Sequence, residues 1–224
     1  MKNAAPKPAS RGRPPESKGE ARREHILDNT LTLFAGQGIA ATTIAQVART
    51  TGVTPAVVHY YFGNRDGLID AVVTERLASA INYIWNEFSE DTLLEPQSII
   101  TAFVDRLFTV VERMPQLPFL WSREILNAGG LLRTRVIGLI PQKKLEMFIR
   151  LFTRFQQSGK LNPQIAPALI IPSVMSLVLL PLAAQDILDK VPVFPALDKT
   201  LLHRHAIALT LNGLYPQQTQ EQLK

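Results

Sequence analysis

The spacing of apolar residues constrains the fold of this chain more than any other sequence feature. Over most of its 224 residues, apolar side chains recur at intervals of three and four, which is the period of an amphipathic helix. No segment combines the alternating pattern of a half-buried strand with the turn residues of a hairpin. The predicted helices cover residues 19–36, 55–61, 97–113, 117–127, 131–157, 163–188 and 197–213, with a short helix after Thr42-Thr43 and a long one after Arg65. The sequence therefore predicts an all-α fold.

Excess positive charge is confined to the first third of the chain. Residues 1–65 contain nine Lys or Arg and four Asp or Glu, whereas residues 66–224 contain fifteen of each. Residues 1–18 are rich in Pro, Lys and Arg, and we expect them to be disordered. We predict three parts: a basic arm at 1–18, a small basic domain at 19–65 and a larger helical domain at 66–224. A basic part joined to a neutral one is typical of polyanion binding, although a solubilising tail would give the same charge.

Composition and motifs exclude several kinds of site. The chain contains no Cys, so it has no disulfide, thiolate metal site or thiol nucleophile. His203 and His205 lie two residues apart in a predicted helix, about 200° around its axis, and cannot share a metal ion. No phosphate loop, nucleophile elbow or HExxH motif is present, so we predict no enzyme activity, cofactor or metal site. No apolar segment of a secretory signal follows Met1, and we expect the protein in the cytoplasm.

Two short helices joined by a tight glycine turn are predicted within residues 42–62. Thr43 and Gln46 have the spacing of a capping box at the start of the first helix. Gly52 suits the left-handed end of that helix, and Pro55 suits the first position of the next one. This arrangement predicts a helix-turn-helix, in which the second helix enters the major groove of DNA.

The second of these helices offers candidate contacts to DNA. Short side chains at its start can reach base edges, and tyrosine and arginine side chains can reach phosphates. The candidates for base contact are Thr54, Ala56, Val57 and His59, and those for phosphate contact are Tyr60, Tyr61 and Arg65. Pro55, at the first position of the helix, is also a candidate DNA-binding residue. The alternative is a three-helix core in which Tyr60, Tyr61 and Phe62 pack as ordinary apolar residues.

The stretch ATTIAQVARTTGVTPAVVHYYFGNRDGLIDAV resembles the DNA-binding region of the TetR (tetracycline-repressor) family of bacterial regulators. The resemblance covers about residues 20–75, including the Gly-Val-Thr turn and the Tyr-Tyr-Phe end of the second helix. It implies that Thr42 and Thr43 meet the DNA backbone. The family pattern usually has a hydroxyl residue and an aromatic residue where this chain has Val57 and His59. The resemblance also implies a three-helix DNA-binding domain followed by a larger helical domain that binds a ligand and dimerises.

An Arg-Gly-Arg-Pro sequence lies in the basic arm at residues 11–14. It is similar to the core of an AT-hook, in which extended arginines enter the narrow minor groove of A·T-rich DNA. We expect Arg11 and Arg13 to contact the minor groove or the flanking phosphates. The alternative is a disordered basic tail that adds only salt-dependent affinity.

The predicted helical domain contains a 20-residue segment without charge, at residues 165–184. The segment has the length of a transmembrane helix, but three prolines interrupt it and no second span accompanies it. A helix that is apolar on all sides is also expected where one face meets the core and the other a partner subunit. We therefore predict a homodimer through the helices at about 163–188 and 197–213, and no membrane association.

A ligand pocket is predicted among aromatic and methionine residues of the middle helices, since such residues with a few polar groups line most small-molecule sites. The candidate lining residues are Trp85, Phe88, Phe103, Phe108, Trp121, Arg123, Met147 and Phe148. The alternative for the apolar members is an ordinary core. For Arg123 and Glu124 it is a surface pair or an intersubunit salt bridge.

These features together predict a sequence-specific DNA-binding regulator of transcription. We expect a repressor that binds a palindromic operator and is released by a small apolar or amphipathic ligand. An architectural DNA-binding protein without a ligand is the alternative that the Arg-Gly-Arg-Pro arm suggests. Ligand-induced thermal stabilisation accompanied by release of DNA would favour the first hypothesis.

Overall fold

The computed structural model describes residues 18–86, 95–194 and 196–215, and all secondary structure in these ranges is helical, which confirms the all-α prediction. The first helices are α1 (Lys18–Gln37), α2 (Ile44–Thr50), α3 (Pro55–Phe62), α4 (Arg65–Val72) and α5 (Ala78–Trp85). The later ones are α6 (Pro96–Arg113), α7 (Leu117–Leu120), α8 (Arg133–Ile137), α9 (Gln142–Gln157), α10 (Ile170–Ala183), α11 (Gln185–Leu188) and α12 (Lys199–Leu214). Two π-helical turns, Val73–Leu77 and Trp121–Ile125, follow α4 and α7, and a 3₁₀ turn, Pro167–Leu169, precedes α10.

Helices α1 to α4 pack around a shared apolar core. Ile26, Phe34, Val47, Val58 and Ile69, which come from all four helices, are at most 1% exposed. Burial of these side chains from water is the main favourable contribution to the packing of such short helices, which are marginal in isolation. The orientation of α3 is therefore set by its contacts with the other three helices.

The caps of α2 and α3 follow the sequence prediction closely. Thr43 Oγ1 accepts a hydrogen bond from the Gln46 backbone N–H at 3.2 Å, and Gln46 Oε1 accepts one from the Thr43 backbone N–H at 2.9 Å. The predicted capping box is thus confirmed. Gly52, in the turn after α2, has a φ of 68°, a conformation that L side chains rarely adopt. Pro55 then occupies the first turn of α3 behind an extended Thr54.

The long helix that was predicted after Arg65 contains a π-helical turn. Helix α4, the turn Val73–Leu77 and helix α5 follow one another without leaving helical backbone conformation. Helix α4 packs against α1 and α3, whereas α5 packs against α6. The combined helix therefore connects the amino-terminal core with the carboxyl-terminal helices.

Ion pairs connect α1 with the π-helical turn Val73–Leu77. Arg23 forms a two-pronged ion pair with Glu75, and its hydrogen bonds lower the pKa of the Glu75 carboxyl group. Arg76 pairs with Glu24 at 2.6 Å and with Asp28 at 2.8 Å. The carboxylates on this side of α1 are therefore matched by arginines within the protein.

Two predicted helices are interrupted. The single helix predicted over 131–157 is wrong, because α8 ends and α9 starts only after Pro141. Proline lacks a backbone N–H and disfavours helical conformation in the residue before it. The single helix predicted over 163–188 is also wrong, since it begins with the 3₁₀ turn Pro167–Leu169 and breaks between α10 and α11 at Ala184.

Helix α6 lies at the centre of the carboxyl-terminal part. It packs against α5, α10 and α12, and its Ile100, Phe103, Val104 and Leu107 are at most 1% exposed. Their spacing of three, one and three residues places them on one helix face. Among the helices of the described ranges, none is long and apolar enough to cross a lipid bilayer.

Candidate nucleic-acid interface

Helix α3 is anchored on one side and accessible on the other. Val58 is fully buried and Phe62 is 8% exposed, so these two side chains fix the helix against the core. The predicted contact residues with exposed side chains are Thr54, Pro55, Ala56, His59 and Tyr60. The start of α3 and one of its faces are therefore open to a partner, as a helix entering the major groove requires.

Other predicted contact residues are less accessible. Val57 and Tyr61 are half-buried and pack against the core, so only part of each side chain is accessible to a partner. Thr42 is 2% exposed, and its hydroxyl donates a hydrogen bond to the Gly38 carbonyl at 2.8 Å. Its neighbour Thr43 has an exposed side chain. Of the threonine pair, Thr43 is thus the member available to a partner, and DNA contact by either residue stays a prediction.

His59 and Tyr60 have defined orientations on the exposed face of α3. The Nδ1–H of His59 donates a hydrogen bond to the Gly63 carbonyl at 2.8 Å, because a carbonyl oxygen can only accept. When the ring is neutral, this bond leaves Nε2 as an acceptor, which can pair with an amino group of adenine or cytosine in the major groove. Tyr60 is 83% exposed, and its ring meets the edge of Tyr61 at a centroid distance of 5.2 Å.

The guanidinium of Arg65 holds the turn between α1 and α2. Its Nε donates to the Thr42 carbonyl at 3.1 Å, and Nη2 donates to the carbonyls of Ile39 and Ala40, the latter at 3.3 Å. These bonds tie the start of α4 to the α1–α2 turn. The phosphate contact predicted for Arg65 stays a prediction. Nη1 takes part in none of these hydrogen bonds, so it is the nitrogen that could donate to a phosphate.

The segment between α1 and α2 is also bound by two residues of the carboxyl-terminal part, which belong to the π-helical turn Trp121–Ile125. Arg123 Nη1 donates to the Gly36 carbonyl at 2.7 Å. Glu124 is 6% exposed, and its Oε1 accepts from the Ile39 backbone N–H at 2.9 Å. Its Oε2 accepts from the Leu131 backbone N–H at 3.1 Å. One carboxylate therefore joins the α1–α2 turn to the loop before α8.

The interpretation of Arg123 and Glu124 as a surface pair is wrong, because Glu124 is buried and both of its carboxylate oxygens accept from backbone N–H groups, whereas the intersubunit bridge stays a prediction. Two glycines leave room for the contacts that the structure shows instead. A Cβ at Gly38 would lie 3.3 Å from Glu124 Oε1, and a Cβ at Gly130 would lie 2.0 Å from the Glu124 carbonyl oxygen. The only sequence signal for these contacts was the presence of two charged residues within the apolar run FLWSREIL. That signal does not predict which groups the two side chains bind.

Further polar contacts connect the amino- and carboxyl-terminal parts. Arg135 of α8 pairs with Asp70 of α4 at 2.6 Å and approaches Asp66 at 3.6 Å. Gln116 Nε2 donates to Thr32 Oγ1 of α1 at 3.0 Å. A movement of the segment from Gln116 to Arg135 would therefore directly change its contacts with α1, α4 and the turn before α2.

The predicted pocket residues are distributed over several sites. Trp85 and Phe103 are buried and meet edge to face at 5.8 Å, and Phe148 stacks on Phe152 at 4.2 Å. Phe108 is buried against His203, with a centroid distance of 4.9 Å. Trp121 and Met147 are half-buried, Arg123 faces the α1–α2 turn, and Phe88 lies outside the described residues, as do Arg11 and Arg13. The pocket assignment stays a prediction.

Comparison with known proteins agrees with the fold and with the helix-turn-helix. Residues 26–72 match the domain described as "Bacterial regulatory proteins, tetR family". The transcriptional regulator BetI of Rhizobium meliloti is 39% identical over 56 residues, which cover 25% of this chain and 28% of BetI. The chain thus spans about a quarter of the length of this relative.

Solved structures match a much larger share of the chain. The ketosteroid transcriptional regulator KstR2 of Mycobacterium tuberculosis is 16% identical with a TM-score of 0.68, over 88% of this chain and 96% of KstR2. A complex of SmeT with triclosan is 18% identical with a TM-score of 0.60, over 88% of this chain and 93% of SmeT. The molecule is an all-helical protein with an amino-terminal helix-turn-helix domain and a larger helical domain. Its sequence match to the tetR family of bacterial regulatory proteins covers residues 26–72, which contain the helix-turn-helix.

Proposed function

We propose that the protein is a sequence-specific transcriptional regulator, a homodimeric repressor that a small molecule releases from its operator. The observation that carries the proposal is the geometry of α3: Val58 and Phe62 anchor it against the core, whereas the side chains of Thr54, Pro55, Ala56, His59 and Tyr60 are exposed. The excess of basic residues in the first 65 positions supports a DNA partner. Selection of bound sequences from random duplex DNA tests the proposal, and we expect a palindrome. Recovery of no common sequence would contradict it.

Exposed apolar residues on the last helices support a dimer. Leu180 on α10 is 58% exposed, Ile187 on α11 is 66% exposed, and Leu209 on α12 is 51% exposed. Large apolar side chains clustered on neighbouring helices are typical of a surface that a second copy covers. Two copies joined in this way would present two α3 helices to successive major grooves, about 34–36 Å apart.

Leu180→Glu is expected to convert the dimer into a monomer. In a twofold interface each substitution occurs twice, so two carboxylates would enter an apolar contact and require desolvation. Leu126→Glu is the matched control, because Leu126 is 57% exposed but lies outside α10 to α12. Sedimentation at micromolar concentration measures the mass of both variants. A dimeric Leu180→Glu protein, or a monomeric Leu126→Glu protein, would contradict the proposed interface.

Regulation by a ligand requires two conformations with different DNA affinity. A ligand shifts such an equilibrium only by its differential affinity for the two conformations. The polar contacts from Arg123, Glu124 and Arg135 to the DNA-binding part support a link between the two parts. SmeT, a protein of the same fold, has been solved with triclosan. A thermal-shift screen of apolar compounds, followed by measurement of DNA release, tests this part of the proposal.

Substitutions on the exposed face of α3 are expected to separate phosphate contacts from base contacts. Tyr60→Ala should weaken binding to all duplexes alike, because phosphates carry no sequence information. His59→Ala should change the preferred sequence at one position of each half-site, by about tenfold. Repeating the selection with each variant measures both effects. A changed sequence preference in Tyr60→Ala, or an unchanged one in His59→Ala, would contradict these roles. Arg65→Ala is less informative, since it also releases the α1–α2 turn.

A further inference from the structure

Helix α1 carries a basic face that the predicted DNA contacts did not include. Lys18, Arg22 and His25 follow one another at intervals of four and three residues, which places them on one side of the helix. All three side chains are exposed. We call these three residues the α1 basic face.

Charge is distributed unequally around α1. Arg23 is paired with Glu75, and the carboxylates of Glu24 and Asp28 are paired with Arg76. Among the residues that the structure describes, no ion pair engages Arg22. The side of α1 that faces the π-helical turn is therefore neutralised within the protein, whereas the α1 basic face keeps its positive charge for an external partner.

The α1 basic face borders the start of the recognition helix α3. An open cleft on the surface separates the two helices, and both contribute to its walls. The residues that line it are Arg22, His25, Thr51, Gly52, Val53, Thr54 and Val57. Arg22 and His25 thus share a concave surface with Thr54, one of the predicted base-contact residues at the front of α3.

We infer that the α1 basic face binds the phosphodiester backbone of DNA beside the groove that α3 enters. The inference rests on the proposed function and deepens it. A backbone strand runs along each edge of the major groove, so a helix in the groove brings its lateral neighbours onto phosphates. A guanidinium offers a planar fork of donors that matches phosphate oxygens, and Arg22, which lines the cleft, carries such a group.

The position of Lys18 extends this contact along the chain. It is the first residue of α1 and directly follows the segment in which Arg11 and Arg13 lie. In the sequence, the α1 basic face therefore lies between the arginines predicted to contact the minor groove and the helix predicted to enter the major groove. A backbone contact by Arg22 is consistent with that order, because the phosphates of one strand border both grooves.

Arg22→Ala tests the inference, with Arg154→Ala as the matched control on an exposed position of α9. The affinity for a selected duplex and for a scrambled duplex is measured at several salt concentrations. We expect Arg22→Ala to raise Kd about fivefold on both duplexes and to reduce the slope of log Kd against log salt by about one, because one phosphate contact is lost. Arg22→Lys should recover most of the affinity, and Arg154→Ala should match the wild type.

The outcomes of this experiment are distinguishable. If Arg22→Ala and Arg154→Ala have the same Kd and salt slope, the inference is overturned. It is also overturned if Arg22→Ala weakens only the selected duplex, since that result indicates a base contact. If the wild-type protein binds neither duplex, the proposed function itself fails. Equal melting temperatures of the variants would show that the loss of affinity does not come from unfolding.

Discussion

Gly130→Ala is expected to lower the free energy of unfolding by about 3 kcal/mol, at the upper end of the usual cost of overpacking. A Cβ at this position would lie 2.0 Å from the backbone oxygen of Glu124 and 2.5 Å from its carbonyl carbon. The obstacle is backbone, so no flexible side chain can move aside. The substitution must displace either the loop before α8 or the π-helical turn that carries Arg123 and Glu124.

Its neighbour Gly129 provides the control for this prediction. A Cβ at Gly129 would have its nearest neighbour at 3.9 Å, the side-chain oxygen of Asn127, and neither glycine has a positive φ. Gly129→Ala should therefore be neutral or slightly stabilising, because alanine reduces the entropy of the unfolded chain. Denaturant unfolding of both variants measures the difference. Equal stability of the two proteins would show that the close approach at Gly130 is absent in solution.

Glu124→Ala is expected to destabilise the protein by about 2 kcal/mol, because the buried Ile39 N–H loses its acceptor and a buried donor without a partner costs roughly 1–3 kcal/mol. For a chain of this size the melting temperature should fall by roughly 4–8 °C. Glu124→Gln should lie between alanine and the wild type, since its amide keeps one oxygen but turns an NH₂ group towards a second N–H donor.

Glu146→Ala on α9 is the control for the loss of a carboxylate. Its side chain is 66% exposed and only approaches Arg150, at 3.8 Å, so we expect a change within about 0.5 kcal/mol. Hydrogen exchange at the Ile39 amide gives a local readout, which Glu124→Ala should accelerate and Glu146→Ala should leave unchanged. If Glu124→Ala is as stable as Glu146→Ala and the Ile39 amide stays protected, the bridge does not exist in solution.

The helix-turn-helix could be predicted from the sequence because its signals are local. The capping box of Thr43 and Gln46, the glycine turn at Gly52 and the proline at the start of α3 each act within four residues. The periodic apolar pattern likewise predicted most helices of the carboxyl-terminal part. Where a proline interrupted that pattern, as at Pro141, the pattern overestimated the length of the helix.

The partners of polar side chains could not be predicted, because they come from distant parts of the chain. Arg65 donates to carbonyls more than twenty residues away, and Glu124 accepts from Ile39, 85 residues away. Accessibility was also ambiguous at Val57, which borders the buried side of α3. Periodicity gives the face of a helix on which a residue lies, whereas the bonds of its polar atoms depend on how the helices meet.

The π-helical turn Val73–Leu77 keeps one stripe of apolar side chains in line along the helix that contains it. Its members recur every four residues and are buried or packed against the core: Ile69, Val73, Leu77, Ile81 and Trp85. With 3.6 residues per turn, a repeat of four drifts by about 40° at each step and by about 160° over the whole stripe. The wider winding of the π turn cancels part of this drift. A single helix can therefore present one apolar stripe to the packing partners of both α4 and α5.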